Sequence, residues 1–350
     1  MSLLTIHLFN FKLLLLLIAL FIVCCTINSD NEIKNLSNCV VFVETKIKET
    51  GSTDTNGDII LFDLNYKKKH KITDDNYYDY LPFINAVEKN IYFISNRNSN
   101  QHLINILQES TPRSLFYYSV EERRIEEIII HNTEGKIISD LGYISNMIYS
   151  AKTNSIYFTH SNQISSLNLK SKILSDKKIE IEDVSIFLKT FITEDEDKII
   201  MNCIMTDITE TGLFIYDLSA NTIKRIKDQL FEPLVDVKIC GYNNNLDKYY
   251  IFRKSINPKS YERDDIEIYE FFPISNKIKF KVKINKTSKL ELGDIHMFDD
   301  EGFFYVDDYD RNWGDLAYYN LETNSKNILT SDDLPKGSFN YYIDNKLDLY

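Results

Sequence analysis

The segment FIYDLSANTIKRI, residues 214–226, decides the fold of this chain. Its two ends are short runs of β-branched and aromatic residues, which favour extended strands. Its middle is polar and typical of a tight turn. The segment therefore predicts two antiparallel strands joined by a hairpin. The same arrangement recurs in LFDLNYKKKHKIT (61–73), FYYSVEERRIEEI (116–128), SSLNLKSKILSD (165–176), EFFPISNKIKFKV (270–282) and AYYNLETNSKNIL (317–329).

The spacing of these hairpins is nearly regular. In each segment the first strand ends in a triplet of an aromatic or aliphatic residue, a more polar one and an aliphatic one. The central residues of these triplets stand 56, 49, 49, 56 and 47 residues apart and are Asp63, Ser119, Asn168, Asp217, Pro273 and Asn320. An alternating strand pattern precedes each hairpin, at 40–45, 91–96, 155–160, 199–204, 249–254 and 302–307. In five of the repeats another strand pattern precedes this alternating strand, at 80–86, 146–151, 184–190, 234–240 and 292–298. Most repeats thus predict four short strands, in the order innermost, second, third and outermost.

Four strands in a repeat of this length are the signature of a propeller blade. The first repeat lacks an innermost strand, whereas the end of the chain, SFNYYIDNKLDLY (338–350), is strand-like and has no repeat of its own. We therefore expect the end of the chain to complete the first blade and close a ring. The sequence predicts an all-β protein, a β-propeller of six four-stranded blades, and seven blades is the alternative if a long insertion conceals an irregular one.

The beginning of the chain has the pattern of an export signal. Residues 13–23, LLLLLIALFIV, follow Lys12 and form an apolar run shorter than the roughly 20 residues that a membrane span needs. We expect a signal peptide over 1–25, a short tether over 26–37 and a single propeller domain over 38–350. An uncleaved membrane anchor is the alternative.

The residues that follow, Ile22-Val23-Cys24-Cys25, resemble a bacterial lipoprotein signal. In such signals an aliphatic residue stands three positions before the cysteine that becomes lipidated, and here Ile22 precedes Cys25 in this way. Cys24 departs from the small residue expected just before the lipidated position. Modification at Cys24, ordinary cleavage near Thr26 and a eukaryotic secretory signal therefore stay open as alternatives, and the last two would give a secreted protein. The resemblance implies that the mature protein is lipid-anchored through Cys25 in a bacterial envelope, at the periplasm or the surface.

The net charge argues against one class of partner, and the number of cysteines argues against a network of disulfide bonds. The formal net charge is −12, and a chain this acidic repels the phosphate backbone, so no nucleic-acid partner is expected. Beyond the signal only Cys39, Cys203 and Cys240 remain, an odd number for a disulfide framework. We expect buried thiols in strands, with a Cys203–Cys240 bridge as the alternative.

The segments IYFISNRNSNQHLINI (91–106) and DLNYKKKHKITDD (63–75) resemble the repeat of TolB-type periplasmic propellers, and FYVDDYDRNWGDLAYYNL (304–321) resembles it more loosely. The resemblance implies a propeller outside the cytoplasm. It does not fix a function, because such propellers serve both as protein-binding modules and as parts of enzymes.

The candidate binding residues lie where loops are expected. Arg97 belongs to the polar stretch after one second strand, and Tyr261 lies in the long loop 254–265. Arg311 stands beside Trp313, the single tryptophan, and this composition is favoured in binding hot spots. Asp308, Asp310 and Asn312 alternate as in a calcium loop, but the twelfth position is Tyr319 instead of glutamate.

No hydrolase elbow, zinc-binding helix motif or phosphate-binding loop occurs in the sequence, so no catalytic residue, metal or cofactor is expected. The sequence favours a non-catalytic, exported and membrane-tethered module that binds a protein or a component of the cell envelope. The alternative is a glycan-acting lyase or hydrolase with its site at the propeller channel, where His296, on an innermost strand, is the one histidine placed near the axis.

Overall fold

A computed structural model describes residues 33, 36–47, 53–98, 112–160, 163–175, 179–180, 184–193, 195–205, 211–226, 235–243, 248–256, 263–275, 277–284, 296–297, 300–306, 315–332 and 336–342. The chain divides into Met1–Leu36 and Ser37–Tyr350, and the strands described below all belong to the second part. Within the described residues the regular secondary structure is entirely β-strand.

The first half of the chain contains β1 (Cys39–Ile47), β2 (Thr53–Asp63), β3 (Lys68–Lys71), β4 (Asp79–Asn85), β5 (Asn90–Ser95), β6 (Ser114–Ser119), β7 (Arg124–Glu127), β8 (Ile130–His131), β9 (Ile137–Ile138), β10 (Asn146–Ser150), β11 (Ser155–His160), β12 (Gln163–Asn168), β13 (Ile173–Leu174) and β14 (Ile179–Glu180). The second half contains β15 (Val184–Ile192), β16 (Lys198–Met205), β17 (Thr211–Asp217), β18 (Thr222–Ile226), β19 (Val235–Asn243), β20 (Lys248–Ile256), β21 (Arg263–Phe272), β22 (Lys277–Ile284), β23 (His296–Met297), β24 (Gly302–Val306), β25 (Leu316–Asn320), β26 (Ser325–Ile328) and β27 (Lys336–Tyr342).

The strands form antiparallel groups of four, which we number as units. Unit 1 has the order β27-β1-β2-β3, and units 2, 3 and 4 are β4–β7, β10–β13 and β15–β18. Units 5 and 6, β19–β22 and β23–β26, are joined into one sheet by a parallel contact between β19 and β23. The hairpin of β8 and β9 extends the sheet of unit 3 beyond β13, and β14 also pairs within that sheet. The described strands therefore follow the predicted repeat, while the number of blades in the whole chain stays a prediction.

The same type of turn joins the two strands of five of the predicted hairpins. The side chain of Asp63 accepts hydrogen bonds from the backbone N–H groups of Asn65 and Tyr66 at 2.9 and 3.1 Å. Ser119, Asn168, Asp217 and Asn320 accept equivalent bonds from N–H groups two or three residues later. In each case the residue four positions on has a left-handed φ between 50° and 57°, at Lys67, Arg123, Lys172, Asn221 and Asn324. Short polar side chains satisfy the turn locally, so the turn is encoded in these five hairpins without help from distant residues.

The ring closes through the end of the chain. β27 pairs antiparallel with β1, with Tyr342 opposite Cys39 and Lys336 opposite Glu44. This confirms that the last strand completes the first sheet. Beside it, Lys69 on β3 forms ion pairs with both Glu44 and Asp332, which link the outer strand of unit 1 to the segment leading into β27.

The core lies between successive units instead of within any one of them. Buried residues of units 3 and 4, of units 4 and 5, and of units 5 and 6 form three continuous apolar clusters. A fourth cluster packs Phe304 and Tyr318 of unit 6 against Phe42 and Phe62 of unit 1. Because β27 and β10 also both contact β4, units 1, 2 and 3 join the same succession. Each unit therefore buries its faces on two neighbours, and the succession returns to its start.

Units 5 and 6 approach so closely that one position requires glycine. A Cβ atom on Gly241 would lie 1.7 Å from the backbone oxygen of Met297, its partner in the parallel contact. Cys39, Cys203 and Cys240 are buried thiols outside any disulfide, so no Cys203–Cys240 bridge forms. Burial raises the pKa of Cys39 to about 12, which keeps this thiol protonated.

Asp63→Ala is expected to reduce the free energy of unfolding by about 1 kcal/mol, because two turn N–H groups lose their acceptor. Asp63→Asn keeps an acceptor oxygen and is the matched control. Urea unfolding of both variants measures the difference. Equal stabilities of the alanine and asparagine variants would contradict the proposed role of the side chain.

Candidate binding site

Arg97 lies just beyond the end of β5, the second strand of unit 2, and is held by two carboxylates. Its guanidinium forms ion pairs with Asp75 and, at 2.6 Å, with Asp79. Asp75 belongs to the connection from β3 to β4, and Asp79 begins β4. The side chain of Arg97 is only 13% exposed. Arg97 thus fastens the connection between units 1 and 2 to the strands of unit 2.

Aromatic rings surround the same guanidinium. Its central carbon lies 5.2 Å from the ring centre of Tyr77 and 5.6 and 5.9 Å from those of Phe93 and Phe116. Cations are attracted to the faces of such rings, particularly where water is excluded. The contacts and the two ion pairs together fix the orientation of Arg97.

Asp79 is fully buried, and this burial makes its carboxyl group less acidic. Burial raises the pKa of Asp79 to about 6, although Arg97 and the hydroxyl groups of Ser95 and Thr73 favour the ionised form. A carboxyl group with this pKa has the acidity expected of a general acid. However, its side chain has no exposed surface, so it is not placed to touch a substrate.

A second arginine links this region to unit 3. Arg113 is 7% exposed, and its guanidinium lies over the rings of Tyr80 and Tyr143 at 5.8 and 5.3 Å. The carboxylate of Asp140 accepts the backbone N–H of Arg113 at 3.0 Å. Tyr78 stacks on Tyr80 with a distance of 5.3 Å between ring centres. We call Tyr78, Tyr80, Arg97, Arg113 and Tyr143 the tyrosine–arginine cluster.

Tyr143 is the exposed member of the cluster. Its residue surface is 56% exposed, although one face of its ring covers a buried cation. Its backbone oxygen lies 3.1 Å from Nδ1 of His160, at the end of the second strand of unit 3. The cluster therefore reaches from unit 2 to unit 3 at the edge where the second strands end.

A backbone irregularity positions the inner part of the cluster. The pairing of β4 with β5 shifts between Tyr80 and Phe83, and Leu81 adopts a left-handed φ of 51°. Pro82, which follows Leu81, has no N–H to donate to the ladder. Bulges of this kind redirect side chains, and they are frequent beside functional sites.

Of the predicted lipidation and binding residues, the structure describes Arg97. Cys25, Tyr261, Arg311 and Trp313 lie outside the described residues. Tyr261 comes between β20 and β21, and Arg311 and Trp313 come between β24 and β25. These connections follow the second strands of units 5 and 6, as Arg97 follows that of unit 2. Sequence reasoning missed Arg113 and Tyr143, whose apposition depends on contacts between two units.

A cluster of opposite charges joins units 5 and 6 at the other end of their second strands. Lys248, which begins β20, contacts Glu270 and Asp300 at 2.7 Å, and its side chain is 5% exposed. Lys281 also contacts Asp300 at 2.7 Å, and the hydroxyl of Tyr250 donates a hydrogen bond to the carboxylate of Asp300 at 3.0 Å. Although burial opposes ionisation, the hydrogen bonds from Lys248, Lys281 and Tyr250 lower the pKa of Asp300 to about 2.

The described part of the chain contains neither a metal-ligand cluster nor a helix that could cross a membrane. No group of three or more histidine, cysteine, aspartate or glutamate side chains there is arranged to hold a metal ion. His296, the candidate near the axis, is buried on β23. Nor does any helix in the described ranges have the length and apolar character needed to cross a membrane.

The four-stranded antiparallel units follow one another in a closed ring, and this arrangement defines the protein as an all-β propeller. Its fold is similar to the crystal structure of TolB from Acinetobacter baumannii, with a TM-score of 0.61 and 12% sequence identity over 89% of this chain and 68% of that chain. It is also similar to a chain in the crystal structure of the nidogen/laminin complex, with a TM-score of 0.53 and 8% identity over 86% of this chain and 97% of the other. No protein-family model and no curated protein sequence matches this chain. The expected resemblance to TolB-type propellers is thus confirmed at the level of the fold.

Asp300→Asn is expected to destabilise the protein at pH 7 by about 1 kcal/mol, a value reduced because the carboxylate is 42% exposed and screened by solvent. Since its folded pKa lies below the ordinary value of 3.8, the stabilisation is present above pH 4 and is lost as the pH falls towards 2. Urea unfolding at a series of pH values would show the difference from the wild type shrinking over that range. Glu322→Gln, which alters an exposed carboxylate of a hairpin, is the control. A difference that did not change with pH would contradict the assignment.

Proposed function

We propose that this protein is an exported, membrane-tethered propeller that binds a protein partner or a component of the cell envelope without catalysing a reaction. The observation that carries the proposal is Tyr143, an exposed ring held on the buried guanidinium of Arg113. Interface hot spots are rich in tyrosine, tryptophan and arginine, and a ring that is already fixed loses little freedom on binding.

The position of this ring supports a shared binding face. Loops on a rigid scaffold commonly carry function, and equivalent connections of a propeller lie on the same face of the ring. Tyr143 lies at the edge where second strands end, and the connections containing Tyr261, Arg311 and Trp313 begin at that edge. We therefore assign all four residues to one binding face, which draws on several units.

The proteins of similar fold support the proposal that this protein binds a partner. The similar nidogen/laminin structure is a complex of proteins. TolB-type propellers act outside the cytoplasm, and the apolar run at 13–23 with Cys25 supports the same compartment and a lipid anchor. The glycan-enzyme alternative is less well supported, because Asp79, a carboxyl group of the described residues with a raised pKa, is buried beneath Arg97.

Site-specific photo-crosslinking tests the binding face. A photoreactive phenylalanine analogue at Tyr143 is expected to give a discrete cross-linked product in the native cell envelope. The same analogue at Tyr66, a tyrosine 65% exposed on a hairpin of unit 1, is the matched control. In addition, Tyr143→Ala should weaken binding of the identified partner about tenfold. Identical products from both positions, or none from Tyr143, would exclude this face.

Mass spectrometry of the N-terminal peptide tests the anchor. We expect a lipid-modified Cys25 as the first residue, and Cys25→Ala should release the protein from membranes into the soluble fraction. An unmodified N-terminus at Thr26 or later would contradict lipid tethering while leaving the binding face untouched.

A further inference from the structure

The outermost strand of unit 5 differs from its counterparts. β22 has 8 residues, whereas β3, β7, β13, β18 and β26 have between 2 and 5. It pairs with β21 on one side and, among the described strands, ends its sheet on the other. A long edge strand presents a row of backbone N–H and C=O groups that can pair with another strand.

The side chains of β22 combine positive charge with exposed apolar surface. Lys277 and Lys279 are exposed, and the ammonium group of Lys279 lies 4.8 Å from the ring centre of Phe272. Phe280 is 58% exposed, and Ile274, in the hairpin before the strand, is 87% exposed. This local charge stands out on a chain whose formal net charge is −12.

A bulge produces this arrangement. The pairing with β21 shifts between Tyr269 opposite Phe280 and Ile268 opposite Val282, so Lys281 is the extra residue. Lys281 turns towards Asp300 and Glu270, while the ring of Phe280 meets Tyr269 edge-on at 5.6 Å. The bulge thus leaves Phe280 on the surface between lysines.

Lysines on an edge strand commonly prevent unwanted pairing between sheets. That role explains the charges of the short outer strands, but a purely protective edge would also be short and would not keep an exposed phenylalanine. Repulsion by lysine is also selective, because it opposes basic or neutral edges and favours an acidic strand.

We propose that β22 binds an extended acidic segment of a partner protein by strand addition. The backbone of the incoming segment pairs with the outer edge of β22, its carboxylates face Lys277 and Lys279, and an apolar residue covers Phe280. An anionic lipid surface would match the charge, but hydrocarbon cannot satisfy the backbone groups of the edge, so a peptide strand fits better. This site is separate from the binding face of the proposed function.

Fluorescence anisotropy with a labelled synthetic peptide tests the proposal. The peptide alternates glutamate and valine and is as long as β22. We expect saturable binding that Lys279→Glu weakens about tenfold, since reversal of a rim charge replaces attraction with repulsion. Lys326→Glu, which reverses an exposed lysine on the short strand β26, should leave binding unchanged. Phe280→Ser should also weaken binding, and thermal unfolding verifies that each variant folds.

A second peptide distinguishes strand addition from simple charge attraction. N-methylation of alternate residues retains every carboxylate but removes the N–H groups of one edge, so this peptide should not bind. Equal binding of the methylated peptide, no binding of the original one, or recruitment to phosphatidylglycerol vesicles without peptide binding would each overturn the proposal. None of these results depends on crosslinking at Tyr143, so the two hypotheses can fail independently.

Discussion

The pairing of β27 with β1 is the constraint on which the rest of the structure depends. A four-stranded unit of this protein buries apolar surface on both faces, so it is stable only between two neighbours. An open row of such units would expose one face at each end. When the last strand of the chain completes the first unit, the terminal units become neighbours, and Phe304 and Tyr318 pack on Phe42 and Phe62.

Within that ring the units repeat their turns but not their interfaces. The Asp63 turn and its equivalents recur because a short polar side chain and a left-handed residue four positions later satisfy the backbone locally. Pro273, which occupies the equivalent position in unit 5, has no side-chain acceptor. The contacts between neighbouring units, by contrast, differ from one pair of units to the next. Units 5 and 6 share an ion cluster around the buried Lys248 and a close contact at Gly241, whereas units 2 and 3 meet through Arg113 between tyrosine rings.

These differences give the propeller distinct surfaces on a repeated scaffold. The tyrosine–arginine cluster combines an immobilised cation, a strained backbone at Leu81 and an exposed ring at Tyr143. On the outer side of the ring, β22 is longer than its counterparts and carries exposed lysines beside Phe280. Under the two proposals made above, the ring would offer one partner its loop face and another its edge.

The sequence alone determined the hairpins, the second strands, the groups of four and the return of the last strand to the first unit, because strand alternation and turn chemistry act over a few residues. It also predicted Arg97 as a binding residue, which stays a prediction, but it did not predict Asp75 and Asp79 as the ion-pair partners of Arg97. Tertiary structure decided that Arg113 would lie between Tyr80 and Tyr143, that Cys203 and Cys240 would form no disulfide, and that Gly241 would meet Met297. The physical reason is that these contacts join residues from different strands or units, and their geometry is set only when whole sheets pack together.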